Sequence, residues 1–247
     1  MPHALAFLRF LILLLHFGLF LILAGVLCLF VPVAGRLRWR LSAFWGRVWA
    51  RGCCAILNLR IRQKGTSPQG GPFLIVANHI GMPDVFVLNA LFPGFFVAKL
   101  DVKRWPLIGW MAGVGGAVYV NRERRQSAGS LVGEMVRRLK KGINVFMFPE
   151  GGATDGSALM PFKTPGFESV IRTGHPVLPV VLTYHDGNTP SVACWYNISF
   201  LEHLWNVLKT PQLEVTAQML PAVSGPLKRR ELAQQVRDEM SRVYDRG

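Results

Sequence analysis

Acidic residues are scarce in this chain: 14 Asp and Glu stand against 28 Lys and Arg, a formal net charge of +14. None precedes Asp84, whereas Arg9, Arg36, Arg38, Arg40, Arg47, Arg51, Arg60, Arg62 and Lys64 all do. The excess charge therefore belongs mostly to the first third, and it calls for nucleic acid or an anionic lipid surface as partner. Cysteine is sparse as well. Cys28, Cys53, Cys54 and Cys194 make no CxxC pair for zinc, and adjacent Cys53 and Cys54 are poorly placed to bridge each other, so reduced packing thiols are expected. The chain has no G-x-S-x-G elbow for a serine nucleophile, no internal repeat and no low-complexity tract. Its 247 residues suffice for one large domain with an appendage.

Apolar residues, in contrast, are abundant. Ala4 to Val33 is interrupted only by Arg9 and His16. About 20 apolar residues suffice to cross a bilayer, so this run is long enough to span one. A signal peptide would have an apolar core of about 7–15 residues, and no small-x-small cleavage site precedes the basic block, so a retained anchor is expected. Arg36, Arg38 and Arg40 follow it, which places the remainder on the cytoplasmic face of a membrane, of bacterial inner-membrane type. Arg36 to Leu59 reads as a second, amphipathic helix. At about 100° per residue, Arg36, Arg40, Arg47 and Arg51 share an arc of roughly 60°, with Trp39, Trp45 and Trp49 elsewhere, as in a helix lying among lipid headgroups. Cations beside an apolar anchor favour the bilayer over nucleic acid. Residues 1–64 are thus expected to form a two-helix membrane-binding lead.

Gly65 to Pro72 is a turn-rich break, and residues 65–247 have a different texture. Phe73–Ala77, Phe95–Ala98, Ala117–Val120, Asn144–Phe148 and Val177–Thr183 read as strands. Val85–Leu91, Lys103–Met111, Ala128–Lys140 and Pro165–Arg172 read as helices. Val192–Phe200 and Leu213–Met219 are candidates for further strands, and Leu227 to Tyr244 for a terminal helix striped by Leu232, Val236, Met240 and Val243. Continuous apolar strands separated by helices imply a single α/β domain with a central mixed sheet flanked by helices.

Chemistry concentrates at the strand ends. Asn78-His79-Ile80-Gly81-Met82-Pro83-Asp84 places an imidazole and a carboxylate five positions apart, directly after a buried strand. Such a carboxylate can hold one tautomer of the histidine, whose free nitrogen then takes a proton from a hydroxyl. The plainer reading is a loop histidine beside an Asp that caps the next helix. Gly116 to Arg122 is a strand ending in a guanidinium, whose planar fork suits phosphate; a surface salt bridge is its plainer reading. Phe148-Pro149-Glu150-Gly151-Gly152-Ala153-Thr154 ends a strand in a carboxylate and two glycines, where backbone can come close to a ligand. Val177 to Val181 reads as core, with no catalytic role.

In order and spacing these four segments resemble the glycerolipid acyltransferases, the 1-acylglycerol-3-phosphate acyltransferases and their relatives. That family's signature is NHxxxxD, a G-x-(apolar)-x-(apolar)-x-R strand, FPEG and an apolar-Pro block, and the resemblance covers roughly Pro72 to Leu182. It implies that residues 65–247 form an acyltransferase domain, moving a fatty acyl group from acyl-CoA or acyl-carrier protein to the free hydroxyl of a lysolipid without a cofactor. On that resemblance His79 is the general base and Asp84 its orienting partner. Arg122, Glu150, Gly151, Gly152 and Lys99 are the implied substrate-binding residues. The family's common Glu-Gly-Thr-Arg is here Glu150-Gly151-Gly152-Ala153, so a cation near the acceptor phosphate is missing. Thr154-Asp155-Gly156 looks more like relatives that acylate other lysolipids, including lyso-ornithine lipid and lysophosphatidylcholine. Lysophosphatidate is the first expected acceptor. Two rival expectations are a non-catalytic lipid carrier and a hydrolase pairing His79 and Asp84 with a serine such as Ser157.

Overall fold

Runs such as Leu74-Ile75-Val76-Ala77 suit strands because both of their faces must be covered by apolar side chains. The computed structural model describes residues 2–30, 35–66, 70–105, 109–110, 113, 117–120, 127–225 and 227–244. Among them the chain runs α1 (Pro2–Phe30), α2 (Arg36–Ile56), β1 (Leu59–Lys64), β2 (Leu74–Ala77), α3 (Pro83–Leu91), β3 (Gly94–Lys99), β4 (Val118–Val120) and α4 (Ser127–Lys140). It continues through β5 (Asn144–Met147), α5 (Glu168–Thr173), β6 (Val177–His185), α6 (Phe200–Lys209), β7 (Leu213–Met219) and α7 (Arg229–Tyr244). The strands form one sheet in the order β1-β7-β6-β2-β5-β3-β4. β6 and β7 are antiparallel and the other neighbours parallel, so the sheet is mixed.

The period-2 alternation of side chains splits each central strand between two helical layers. Ile75 and Ala77 join Trp49, Ala50 and Cys53 of α2, Phe86 to Leu88 of α3 and Val207 and Leu208 of α6. Leu74 and Val76 face the opposite way, against Leu131, Met135 and Leu139 of α4 and Leu232, Val236 and Met240 of α7. Each fully buried aliphatic or aromatic side chain in these layers contributes roughly 1.5–3 kcal/mol relative to exposure.

Several expectations meet corrections. The second helix ends at Ile56, and Leu59–Lys64, drawn into the lead from the sequence, is the edge strand of the sheet, paired with β7. Val192–Phe200 is not a strand but a series of turns that enters α6. The helix expected at 103–111 is only partly described: Lys103 and Arg104 end a 3-10 turn, Leu100–Arg104, residues 109 and 110 are helical, and 106–108 and 111 lie outside the described residues. Nor does the arginine arc of α2 point wholly away from the domain. Arg36 donates to the Lys141 carbonyl at 3.0 Å, and Arg47 and Arg51 each donate to the Ala90 carbonyl at 3.2 Å. Carbonyls at the end of α3 carry the negative pole of its dipole, which is why cations settle there.

α1 is long and apolar enough to cross a membrane, yet it is docked on the domain. Arg9 is buried and reaches the end of α6, donating to the carbonyls of Leu208 (3.2 Å), Thr210 (2.5 Å) and Pro211 (2.8 Å). His16 bonds the Trp49 carbonyl of α2 at 3.0 Å. Ala6, Leu13 and Phe20 are buried on that side, whereas Leu15 and Ile22 are 74% and 66% exposed on the other. One face is core; the other is an uncovered apolar stripe.

Candidate active site

The site assembles beyond the C-terminal ends of β2, β5 and β6, where open α/β sheets bind ligands. Asn78 starts it. Its side chain donates to the Leu182 carbonyl at 2.9 Å and accepts from the Leu182 amide at 2.8 Å, which ties the turn after β2 to the middle of β6. His79 follows, with its Nδ1 2.8 Å from Oδ2 of Asp84. A carboxylate accepts, so Nδ1 carries the proton and Nε2 keeps its lone pair. The imidazole stacks on Phe148 with ring centres 4.0 Å apart and planes 11° off parallel, which fixes its tilt.

Asp84 is fully buried, and its charge is spread over four donors. Oδ2 accepts from the Ile80 and Gly81 amides at 2.8 and 3.0 Å as well as from His79, while Oδ1 accepts from the Tyr184 hydroxyl at 2.7 Å. Burial of an ion is tolerated only when it is hydrogen-bonded in this way. Asp84 is not the cap of α3, whose N-cap is Met82 without a side-chain bond; from the first turn of the helix it collects the amides of the preceding turn while it orients the imidazole. Tyr184 is pushed well above the usual phenol range by burial and then by the Asp84 charge, so it remains a donor. Gly81 is a glycine because a Cβ there would run into the Ala193 carbonyl. Behind the turn, His203 of α6 accepts the Met82 amide on Nε2 at 3.2 Å, and burial lowers its pKa to about 4.

Glu150 is drawn inward. Oε1 accepts the His79 amide at 2.8 Å and Oε2 accepts the Met160 amide at 3.0 Å, so both carboxylate oxygens hold protein backbone. Burial raises its pKa, with those two bonds opposing the shift. Four residues on, the Thr154 amide donates to the His79 carbonyl at 2.9 Å. The loop Glu150–Thr154 is thus bonded at both ends to the same histidine, and Gly151 and Gly152 span the interval. Gly151 has φ +85°, and Gly152 faces open space.

Of the residues singled out from the sequence, His79, Asp84, Glu150, Gly151 and Gly152 come together. Lys99 closes β3, and its side chain lies outside the described residues, as does Arg122 altogether. The Ser157 hydroxyl donates to Asp155 at 2.7 Å, and among the described residues no bond joins it to His79 or Asp84, so the pairing named in the hydrolase expectation is not formed. Tyr184 was missed; a tyrosine ending an otherwise apolar run was its signal. His203 had none in its own helix, because its partner is 121 positions away.

A buried carboxylate steering an imidazole whose second nitrogen is left without a partner among the described residues is equipment for general-base activation of a hydroxyl. The chain belongs to the acyltransferase family: the model described as Acyltransferase matches residues 58–183. It is 34% identical over 227 residues to the lyso-ornithine lipid O-acyltransferase of Rhizobium meliloti, covering 85% of this chain and 75% of that protein. It is 31% identical over 168 residues to the 1-acyl-sn-glycerol-3-phosphate acyltransferase of Neisseria meningitidis, covering 67% and 66%. The crystal structure of the 1-acyl-sn-glycerophosphate acyltransferase PlsC from Thermotoga maritima superimposes with a TM-score of 0.69 at 20% identity over 98% of this chain and 97% of that one, a likeness of fold.

Proposed function

We propose that the chain is a membrane-bound O-acyltransferase that moves a fatty acyl group from acyl-CoA or acyl-carrier protein to the free hydroxyl of a lysolipid. The observation that carries this reading is the His79–Asp84 pair, with Nε2 of His79 unpartnered among the described residues and so placed to accept a proton. The lysolipid hydroxyl gives its proton to Nε2 as its oxygen attacks the thioester carbonyl. The resulting tetrahedral adduct collapses, the C–S bond breaks, and the leaving thiolate takes the proton back from His79. Asp84 stabilises the imidazolium in between. A thioester is electrophilic enough to need no further cofactor, and direct attack requires no acyl-enzyme. Positioned base catalysis contributes about 10²–10⁴-fold, the rest coming from holding hydroxyl and thioester together.

The first acceptor is 1-acylglycerol-3-phosphate, with Arg122 as the partner for its phosphate and Lys99 and the Glu150–Gly152 loop beside it. A second acceptor, lyso-ornithine lipid, is favoured by the loop, which has Gly152-Ala153 where a cation is common, and by the R. meliloti relative. Both substrates live in membranes. The exposed stripe of α1 gives the bilayer contact, with the helix lying against the domain instead of leaving it. Replacing Leu15 and Ile22 by Glu should release the protein from anionic phospholipid vesicles in flotation, and unchanged partitioning would contradict this placement.

The test is transfer itself. Purified protein with labelled acyl-CoA and each lysolipid should yield labelled diacyl lipid only when acceptor is present. His79→Ala should abolish that label while the melting temperature holds. Label released as free fatty acid, or transfer that survives His79→Ala, would overturn the reading.

A further inference from the structure

The loop that lacks its expected cation is crossed by another one. Lys163 lies 12 positions beyond Gly151, and its amide donates to the Pro149 carbonyl at 2.8 Å, which brings the chain back alongside the loop. Its side chain then runs over Gly151: a Cβ on that glycine would collide with the ammonium and the two methylenes behind it. Glycine at 151 thus serves both a positive φ and the passage of a lysine across the backbone.

Lys163 is exposed, and among the described residues no carboxylate pairs with it. The obvious counter-ion, Glu150, has both oxygens committed to the His79 and Met160 amides. Asp155, further along the loop, accepts from the Ser157 hydroxyl and amide. A cation held at a defined place, with its neighbouring anions engaged elsewhere, has its charge left for a ligand. The place is defined by the catalytic histidine, because the loop beneath the lysine is bonded to His79 at both of its ends. Gly152 next to it leaves open space for a headgroup.

We propose that Lys163, with the open backbone of Gly152 next to it, binds the anionic headgroup of the acceptor, forming a subsite for phosphate or carboxylate beside His79. This deepens the acyl-transfer reading and rests on it for the identity of the ligand. An ammonium on a flexible stem is a point charge that accepts either anion in one-point contact, whereas a guanidinium fork favours two-point contact with phosphate. A lysine arriving from outside the loop therefore suits an enzyme whose acceptor carries either a carboxylate or a phosphate.

The experiment compares wild type, Lys163→Met and Lys163→Arg on 1-oleoylglycerol-3-phosphate, lyso-ornithine lipid and uncharged monooleoylglycerol in the same detergent micelles. For an anionic acceptor, Lys163→Met should lower kcat/KM about 10–100-fold more than for monooleoylglycerol, and Lys163→Arg should restore most of the loss. Which anionic acceptor suffers the larger loss identifies phosphate or carboxylate as the natural group. Equal losses on charged and uncharged acceptors, or none, would remove Lys163 from the subsite. Binding is measured separately by titrating 1-oleoylglycerol-3-phosphate and lyso-ornithine lipid into the protein without acyl donor. At least one should bind about tenfold more weakly to Lys163→Met; unchanged affinity for both contradicts the proposal. A wild type that transfers to no lysolipid would sink the acyl-transfer reading, while this titration still decides on Lys163.

Discussion

The turn at residues 78–84 and the loop at residues 150–154 face each other across the site, and they are built in opposite ways. In the turn Asn78 and Asp84 are saturated, and His79 is held so that one nitrogen alone is left over. Asn78 has both amide atoms bonded to Leu182, Asp84 takes four donors, and His79 is bonded on one nitrogen and stacked on one face. The loop is anchored at Glu150 and Thr154 and by the Gly151 amide on the Phe148 carbonyl, but beyond those bonds it presents the open space at Gly152 and the lysine that crosses it. Proton transfer tolerates little misplacement, so its apparatus is over-determined. Headgroup recognition has to differ between relatives, and a loop of small residues allows it to differ without disturbing the base.

Breaking the saturated side should cost most. Asp84→Asn keeps the shape of the side chain but can turn its amide towards the imidazole, which favours the wrong tautomer, and kcat should fall about 10³–10⁴-fold. A pre-steady-state assay with bound acyl donor checks this; a loss confined to KM would assign Asp84 to binding instead. Tyr184→Phe is subtler. Removing the hydroxyl that donates to Asp84 Oδ1 loosens the carboxylate that orients the imidazole, so kcat should fall about 10-fold with KM kept. A loss in KM alone, or none, would reduce Tyr184 to packing.

His203 gives the smallest effect, and it falls on stability. Its pKa is lowered from 6.5 to about 4 by burial, so the unfolded chain binds a proton between those values that the folded chain does not. The stability it contributes is complete above pH 6.5 and is lost as pH falls towards 4. His203→Asn should flatten the denaturant midpoint over that window relative to wild type, and parallel curves would show that another group titrates there.

Legibility in the sequence follows the range of the interactions. The dyad was readable because its members are five positions apart, and β2, β5 and β6 were readable because strands buried on both faces are continuous apolar runs. β1 was not: Leu59-Arg60-Ile61-Arg62-Gln63-Lys64 lies at the sheet edge with most of its side chains in solvent, so it lacks the apolar run that marks the central strands and was drawn into the lead. α6 was lost for a different reason. Its start carries a local signal, Ser199 accepting the Glu202 amide at 3.2 Å, but aromatic and β-branched residues just upstream look like a strand. The direction of the α2 arginines was out of reach, since a basic arc looks the same whether it meets lipid headgroups or the carbonyl of Ala90. Tyr184 joins Asp84 across 100 positions, and Glu150 joins His79 across 71. Contacts of that span belong to the fold and leave no spacing to read.

The most direct measurement is the nitrogen spectrum of His79 in the folded protein at a pH above its titration, assigned by its disappearance in His79→Ala. A proton on Nδ1 and an unprotonated Nε2, together with loss of acyl transfer in that variant, is the predicted result. A proton on Nε2 with Nδ1 bare would leave no nitrogen facing the hydroxyl that can accept, and the account of catalysis would fail.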